Sequence, residues 1–122
     1  FIESCTTHAD TISTETHAQI TVKTTSLRPA KPSTTASDAL YESLQKAAKT
    51  CKQSLKIEPS FGVCDGNFIA ATGTPVIDTM GAKGQGMHTK HETIYLTSLI
   101  EQSTLSYETI KAYLTYMSTT LA

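Results

Sequence analysis

The stretch GAKGQGMHTKHE, residues 81–92, gathers glycines, two histidines and a glutamate into a chain that is otherwise rich in threonine. Imidazole and carboxylate groups are what metal centres and acid–base pairs are built from. The spacing narrows the choices. His88, His91 and Glu92 read HxxHE, which is neither the HExxH nor the HxxEH order that sets two histidines on one zinc. His88, directly behind the glycines, is the one credible ligand among them. A catalytic zinc takes three protein ligands and leaves a position open, and no convincing second and third ligand is present. Gly81, Gly84 and Gly86 are spaced GxxGxG, unlike the dinucleotide fingerprint, and no helix signal opens at once behind them. On local grounds they describe a surface turn, or equally a loop whose backbone can approach a ligand closely.

Other groups capable of chemistry are scattered. His8 and Asp10 form an HxD, a spacing able to chelate, within a segment that has no periodicity. Asp65, in CDGN, suits either an acid–base group or a turn, because Asp, Gly and Asn tolerate left-handed backbone. Arg28, just before Pro29, either clamps a carboxylate with its planar fork or is solvated. Cys5, Cys51 and Cys64 contain no CxxC pair, and an odd number cannot all pair within one chain, so reduced thiols are expected. Cys51 falls on an apolar helical face and is expected as a small buried residue. Cys64 lacks any base nearby in sequence that would make it a nucleophile.

Elements must hold these residues in place. Residues 1–16 follow no period, which predicts loop or ragged strand. In HAQITVKTTSL, residues 17–27, Ile20, Val22 and Thr24 alternate with Thr21 and Lys23, predicting a strand with one wet face. The prolines of RPAKPS end it. Thr35 and Asp38 have capping-box spacing, and Leu40, Leu44, Ala47, Ala48, Cys51 and Leu55 recur at three and four, predicting an amphipathic helix. LKIEPSFGV predicts a short strand, GNFIAATG a turn of helix closed by Gly73, and TPVIDTMG a buried strand closed by Gly81. TIYLTS predicts a brief extended piece. Leu99, Tyr107, Ile110, Tyr113, Leu114, Met117 and Leu121 then outline a second amphipathic helix. Such alternation argues for an α/β fold, a partial sheet covered by helices, with any site in loops at strand ends.

With 122 residues the chain is sized for one domain with a modest core. Its net charge of -1 supplies no field to gather phosphate backbones or anionic lipid, so neither nucleic acid nor membrane is an expected partner. The apolar runs fall far short of the roughly 20 residues needed to cross a bilayer, and nothing resembles a signal peptide, so a cytoplasmic location is expected.

Taken in one register, FGVCDGNFIAATGTPVIDTMGAKGQGMHTKHETIYLTSL resembles the C-terminal part of the zinc-dependent exopeptidase and deacylase family that includes carboxypeptidase G, glutamate carboxypeptidase, acetylornithine deacetylase and succinyl-diaminopimelate desuccinylase. In that family a glycine-rich loop with Asp, a GxPV strand, a glycine, and a glycine-flanked histidine followed closely by Glu occur in this order. SLRPAKPS and the helix behind it extend the resemblance to residues 17–120. It implies that residues 1–27 end a small lid (dimerisation) domain and that 28–122 form the C-terminal part of a catalytic α/β domain.

The resemblance also implies roles. His88 is the last metal ligand of a two-zinc centre, and Gly84 and Gly86 let its loop wrap close to metal and substrate. Asp65, Gly66 and Asn67 shape the substrate side, Glu92 braces the loop, and Arg28 binds the substrate's free carboxylate. Phe61 stands where the family usually has the first glycine of a pair. The family's first metal histidine, bridging aspartate, glutamate base and remaining carboxylate ligands lie upstream of the matched segment. The chain thus resembles a fragment of a dinuclear zinc hydrolase that cleaves a peptide or N-acyl amino acid, a small-molecule or dipeptide-like substrate. Alone it is expected to hold no zinc and to be inactive. The alternative is a non-catalytic interaction or assembly module that keeps the fold without a metal centre. A fragment exposes the face that the rest would cover, so a homo-oligomer is expected, with the 17–27 strand paired or exchanged between copies.

Overall fold

The computed structural model describes residues 1–56, 58 and 62–120. Ile57, Pro59 and Phe61 of the expected strand LKIEPSFGV, and Leu121 of the last helix, lie outside the described residues. In chain order the elements are α1 (Ile2–Thr16), α2 (Thr35–Thr50), α3 (Gly66–Ala71), β1 (Gly84–Gln85), β2 (Thr93–Ile94) and α4 (Leu96–Thr120).

α1 replaces the loop or ragged strand expected for residues 1–16. A thin stripe of Ile2, Cys5, Ala9 and Ile12 does recur at three and four, and Ala9 is buried. The threonines that obscure it do not compete with the helix. Thr6, Thr7, Thr11, Thr14 and Thr16 each donate a hydroxyl to the carbonyl four residues back, at 2.6–3.2 Å, so their polar atoms are satisfied inside the helical geometry. The helix stops where His17 turns left-handed, at φ 57°.

Residues 17–34 form no regular element, so the strand expected at 17–27 is absent. A strand is completed by a ladder partner, and here two of the backbone amides turn to side chains of α1 instead. Ser13 Oγ accepts the Ile20 N–H at 3.3 Å and Thr16 Oγ1 accepts that of Ala18 at 3.4 Å. TPVIDTMG likewise carries no strand, nor do Leu55, Lys56 and Glu58 of LKIEPSFGV. Among the described residues the sheet expected beneath the helices is therefore only β1 against β2, antiparallel, with Gly84 facing Ile94 and Gln85 facing Thr93. The chain is α/β in the coarse sense of helices with a small sheet.

The expected helices at 35, 66 and 99 are present. The capping box of α2 sits one residue earlier than the spacing suggests. Thr34 Oγ1 accepts the Ser37 N–H at 3.2 Å, and Ser37 Oγ accepts the Thr34 N–H at 2.7 Å, closing two orphan donors reciprocally. Asp38 instead accepts the Ser33 hydroxyl at 2.8 Å. α2 lays Leu44, Ala47 and Ala48 against Leu105 of α4, and Tyr41, Cys51, Leu55, Ile77 and Met80 close around them. The two alanines let the helices approach closely, and α2 with α4 is the main contact between elements. α3 ends as expected at Gly73, whose φ of 88° favours a residue without Cβ.

Candidate functional site

β1 and β2 are the legs of a hairpin, and its loop carries His88. Gly84 lies so close to the opposite leg that a Cβ there would stand 2.1 Å from the Thr93 carbonyl oxygen. Gly86 takes φ 70°, and a Cβ on it would come within 2.8 Å of His91 O. Both glycines are thus demanded by the hairpin's own backbone. Thr89 staples the loop: its N–H and hydroxyl donate to Gly86 O at 3.0 and 2.7 Å, its oxygen accepts the His91 N–H at 3.2 Å, and its carbonyl accepts the Glu92 N–H at 3.1 Å. The hairpin is rooted on the first turn of α4, where Lys83 O accepts the Tyr95 N–H and Ser98 Oγ accepts the Lys83 N–H, each at 2.9 Å.

His88 itself has left-handed backbone, φ 64°, a conformation that costs a non-glycine residue on the order of 1 kcal/mol. Glu92 offsets this, because its Oε2 accepts the His88 N–H at 3.0 Å in a charge-assisted bond. His17, Lys52 and Thr79 share the left-handed backbone, so it is the carboxylate brace that sets His88 apart. The residue is exposed, and its ring makes no hydrogen bond among the described residues.

The residues expected on the substrate side gather elsewhere, around the start of the second half of the chain. Arg28 pairs with Asp65 at 3.4 Å, and its guanidinium lies 5.4 Å from the centre of the Phe68 ring. Buried Asn67 donates from Nδ2 to Pro29 O at 2.8 Å and accepts the Cys64 N–H on Oδ1 at 3.0 Å. Gly66 is enclosed, with Val76 Cγ1 3.0 Å and Cys64 Sγ 3.1 Å from where a Cβ would stand. Lys31 forms an ion pair with Asp78, and the Cys64 thiol donates to Asp78 Oδ2 at 3.1 Å. The Lys31 hydrogen bond, helped by that of Cys64, holds the Asp78 carboxyl below its ordinary value of 3.8.

Lys31 and Asp78 were not singled out from the sequence. The available signal was a carboxylate ending the apolar run PVI, which needs a cation when it packs inward. Among the described residues no hydrogen bond or ion pair joins this clamp to His88 or Glu92. The remaining candidates are local. His8 Nδ1 lies 2.7 Å from Ser4 O, and two residues apart on a helix His8 and Asp10 do not face one another, so the HxD does not chelate. Cys51 is half-buried beside the core, and all three thiols are free.

A zinc site needs three or more converging ligands. No group of three or more His, Cys, Asp or Glu side chains is placed to hold a metal among the described residues. Glu92, the carboxylate nearest in sequence, is turned onto the backbone of His88. No helix among the described residues is long and apolar enough to cross a membrane. No curated protein and no solved structure matches the chain. A family model described as peptidase family M20/M25/M40 matches residues 3–112, nearly the whole chain including hairpin and clamp, and the protein therefore belongs to this family of metallopeptidase hydrolases.

Proposed function

We propose that this chain contributes His88 as one metal ligand to a dinuclear zinc hydrolase that cleaves the amide bond of a peptide or N-acyl amino acid. The observation behind the reading is the Glu92 brace: a carboxylate holds the backbone of a left-handed histidine while the ring stays exposed. When bound, zinc polarises an amide carbonyl and activates water. The chain's own part is positional. Gly84 and Gly86 allow a tight hairpin, Thr89 closes its loop, and the Lys83–Ser98 bond fixes it to α4.

The other ligands and the general base come from sequence outside these residues, so this chain alone neither holds two zinc ions nor hydrolyses its substrate. Residues 1–27 belong to the lid and 28–122 to the catalytic part. The ties from Arg28, Pro29 and Lys31 to residues 65–78 support a boundary just before Arg28. Arg28 and Asp65 meet each other here, and a substrate carboxylate would compete with Asp65 for the guanidinium. Three free thiols fit a reducing compartment, and the cytoplasm is the proposed location.

The test is zinc calorimetry on this chain and its His88→Ala variant, with metal content measured on the longer native protein carrying the same substitution. The expected results are no tight stoichiometric binding by the chain and loss of zinc from the longer variant. Tight, His88-dependent binding by these residues alone would overturn the fragment reading, and an unchanged metal content in the longer variant would overturn the ligand role. A non-catalytic assembly module draws support from the exposed apolar residues of α4, and it predicts no zinc in either form.

A further inference from the structure

Ser43, Ser98 and Thr109 are buried, and their hydroxyls are used differently. Ser43 donates to Ala39 O at 3.0 Å and Thr109 to Leu105 O at 2.7 Å, each within its own helix. Ser98 is 2 % exposed and shares a face of α4 with Gln102, Leu105 and Thr109, where an aliphatic side chain would pack with no polar group to satisfy. Its hydroxyl instead ties both feet of the His88 hairpin to the helix. It donates to Tyr95 O at 2.6 Å and accepts the Lys83 N–H at 2.9 Å, and the Ser98 N–H also reaches Tyr95 O at 2.9 Å.

Lys83 and Tyr95 stand just outside the two legs, ahead of Gly84 and behind Ile94. Lys83 has both backbone groups committed there, its N–H to Ser98 and its carbonyl to the Tyr95 N–H at 2.9 Å. Among the described residues, the hydrogen bonds of residues 84–94 run within the hairpin or to Tyr95, whose hydroxyl donates to Gln85 Oε1 at 3.2 Å. The ion pair of Lys83 with Glu101, at 3.5 Å and with both side chains exposed, is too screened to fix an angle. The hairpin is thus aimed from one buried oxygen. His88 lies about 10 Å of extended chain from this root, so a tilt of about 10° moves its ring by about 2 Å. A metal–ligand distance must fall within roughly 0.2 Å.

We propose that Ser98 is the positioning residue for His88, a role that rests on the ligand reading given above. Its hydroxyl sets the angle between hairpin and α4, and thereby the place at which the imidazole is presented, from ten residues away in sequence. Alanine at this position barely changes the packed volume, but it leaves the Lys83 N–H without its acceptor and the Tyr95 carbonyl with one donor fewer. The hairpin then rocks about its covalent junction with α4 at Tyr95 and Leu96. Outer partners that orient a ligand in this way tune metal affinity without touching the metal.

Residual dipolar couplings and zinc affinity test this at two levels. In the chain itself, the amide couplings of residues 84–94 and of α4 are expected to fit one alignment frame in the wild type and to need two in Ser98→Ala. Thr109→Val, which deletes a buried hydroxyl from the same helix, is expected to keep the single frame. In the longer native enzyme, chelator competition is expected to show zinc held about tenfold more weakly by Ser98→Ala, unchanged by Thr109→Val and lost by His88→Ala. A single frame retained in Ser98→Ala, or zinc weakened equally by Thr109→Val, would overturn the positioning role. If His88→Ala releases zinc while Ser98→Ala binds it as the wild type does, the ligand reading stands and the positioning role falls. If His88→Ala leaves zinc in place, both fall.

Discussion

In the clamp, Arg28 pairs with Asp65, Lys31 pairs with Asp78, and Asn67 bonds the backbone of Pro29, so these polar groups are engaged within the fold. In the hairpin, backbone amides, one threonine and one carboxylate do the holding, and the ring of His88 makes no hydrogen bond among the described residues. Both regions lie within the stretch that matches the family. The difference separates residues that secure a fold from a residue that a fold presents. The proposed ligand role of His88 rests on this contrast: its backbone is held by a dedicated acceptor while its ring makes no hydrogen bond among the described residues. The arginine that resembles a substrate receptor is instead engaged twice, by a carboxylate and by an aromatic ring.

The largest expected effect tests whether backbone holds the hairpin. Gly84→Ala would put a Cβ 2.1 Å from Thr93 O, an overlap relieved only by parting the strands. The cost is about 2–4 kcal/mol, confined to the local opening of the loop. Hydrogen exchange should show it: the Tyr95 amide, bonded to Lys83 O, should exchange on the order of a hundredfold faster, while the Cys51 amide at the end of α2 is unaffected. Unchanged protection at Tyr95 would mean that the hairpin does not depend on this glycine.

The next effect addresses the clamp. Asn67→Ala removes a buried amide that satisfies Pro29 O and the Cys64 N–H. Two backbone groups lose their partner, and about 1–3 kcal/mol of stability goes with them. Asn67→Asp is expected to be at least as costly, since it keeps the acceptor for Cys64 and turns a charged oxygen toward the Pro29 carbonyl. Chemical denaturation of the three proteins decides the matter. A neutral Asn67→Ala would show that the clamp is not what joins residues 28–31 to the rest.

Much of this was readable in the residues, and what was not has physical causes. α2 and α4 announce themselves because Leu44, Ala47, Ala48 and Leu105 fall on helical periods that tertiary packing also needs. α1 was hidden by threonines whose hydroxyls turn back onto the helix that carries them. The alternation of residues 17–27 and the apolar run at 75–77 are strand-like locally, but a strand is a relation between two segments, and one segment's pattern does not supply the other. The position of His88 was marked by its glycines and by Glu92 four residues on. The task of those glycines was not, because Gly84 is required by Thr93 across the hairpin. Arg28 and Asp65 are 37 residues apart in sequence and meet only in the fold.

Asp78 supplies a smaller effect with a defined sign. Its carboxyl titrates below 3.8 in the folded chain, so its contribution is complete above that value and is lost as pH falls through the lower folded value. With the side chain 36% exposed, solvent limits the contribution to about 1 kcal/mol or less. Asp78→Asn should therefore lower stability slightly at neutral pH, and the gap to wild type should close on acidification below 3.8. A gap that persists unchanged in strong acid would assign it to lost packing, and the Lys31 pairing would count for little.

The smallest effect on stability sharpens the comparison most. Arg28 is partly exposed and Asp65 almost wholly so, so the pair is screened, and Arg28→Ala should cost only about 0.5 kcal/mol, including the contact with Phe68. Arg28→Lys should recover part of that, because an ammonium still reaches toward Asp65 but cannot present a planar fork to ring and carboxylate together. A substrate carboxylate at this position would depend on the fork, so in the longer enzyme Arg28→Lys should then raise KM well beyond its small effect on folding. Thermal unfolding and KM measured on the same two variants distinguish the possibilities. Small losses in both place Arg28 with the clamp, whereas a small loss in stability with a large rise in KM places it, like His88, among the residues that the fold presents.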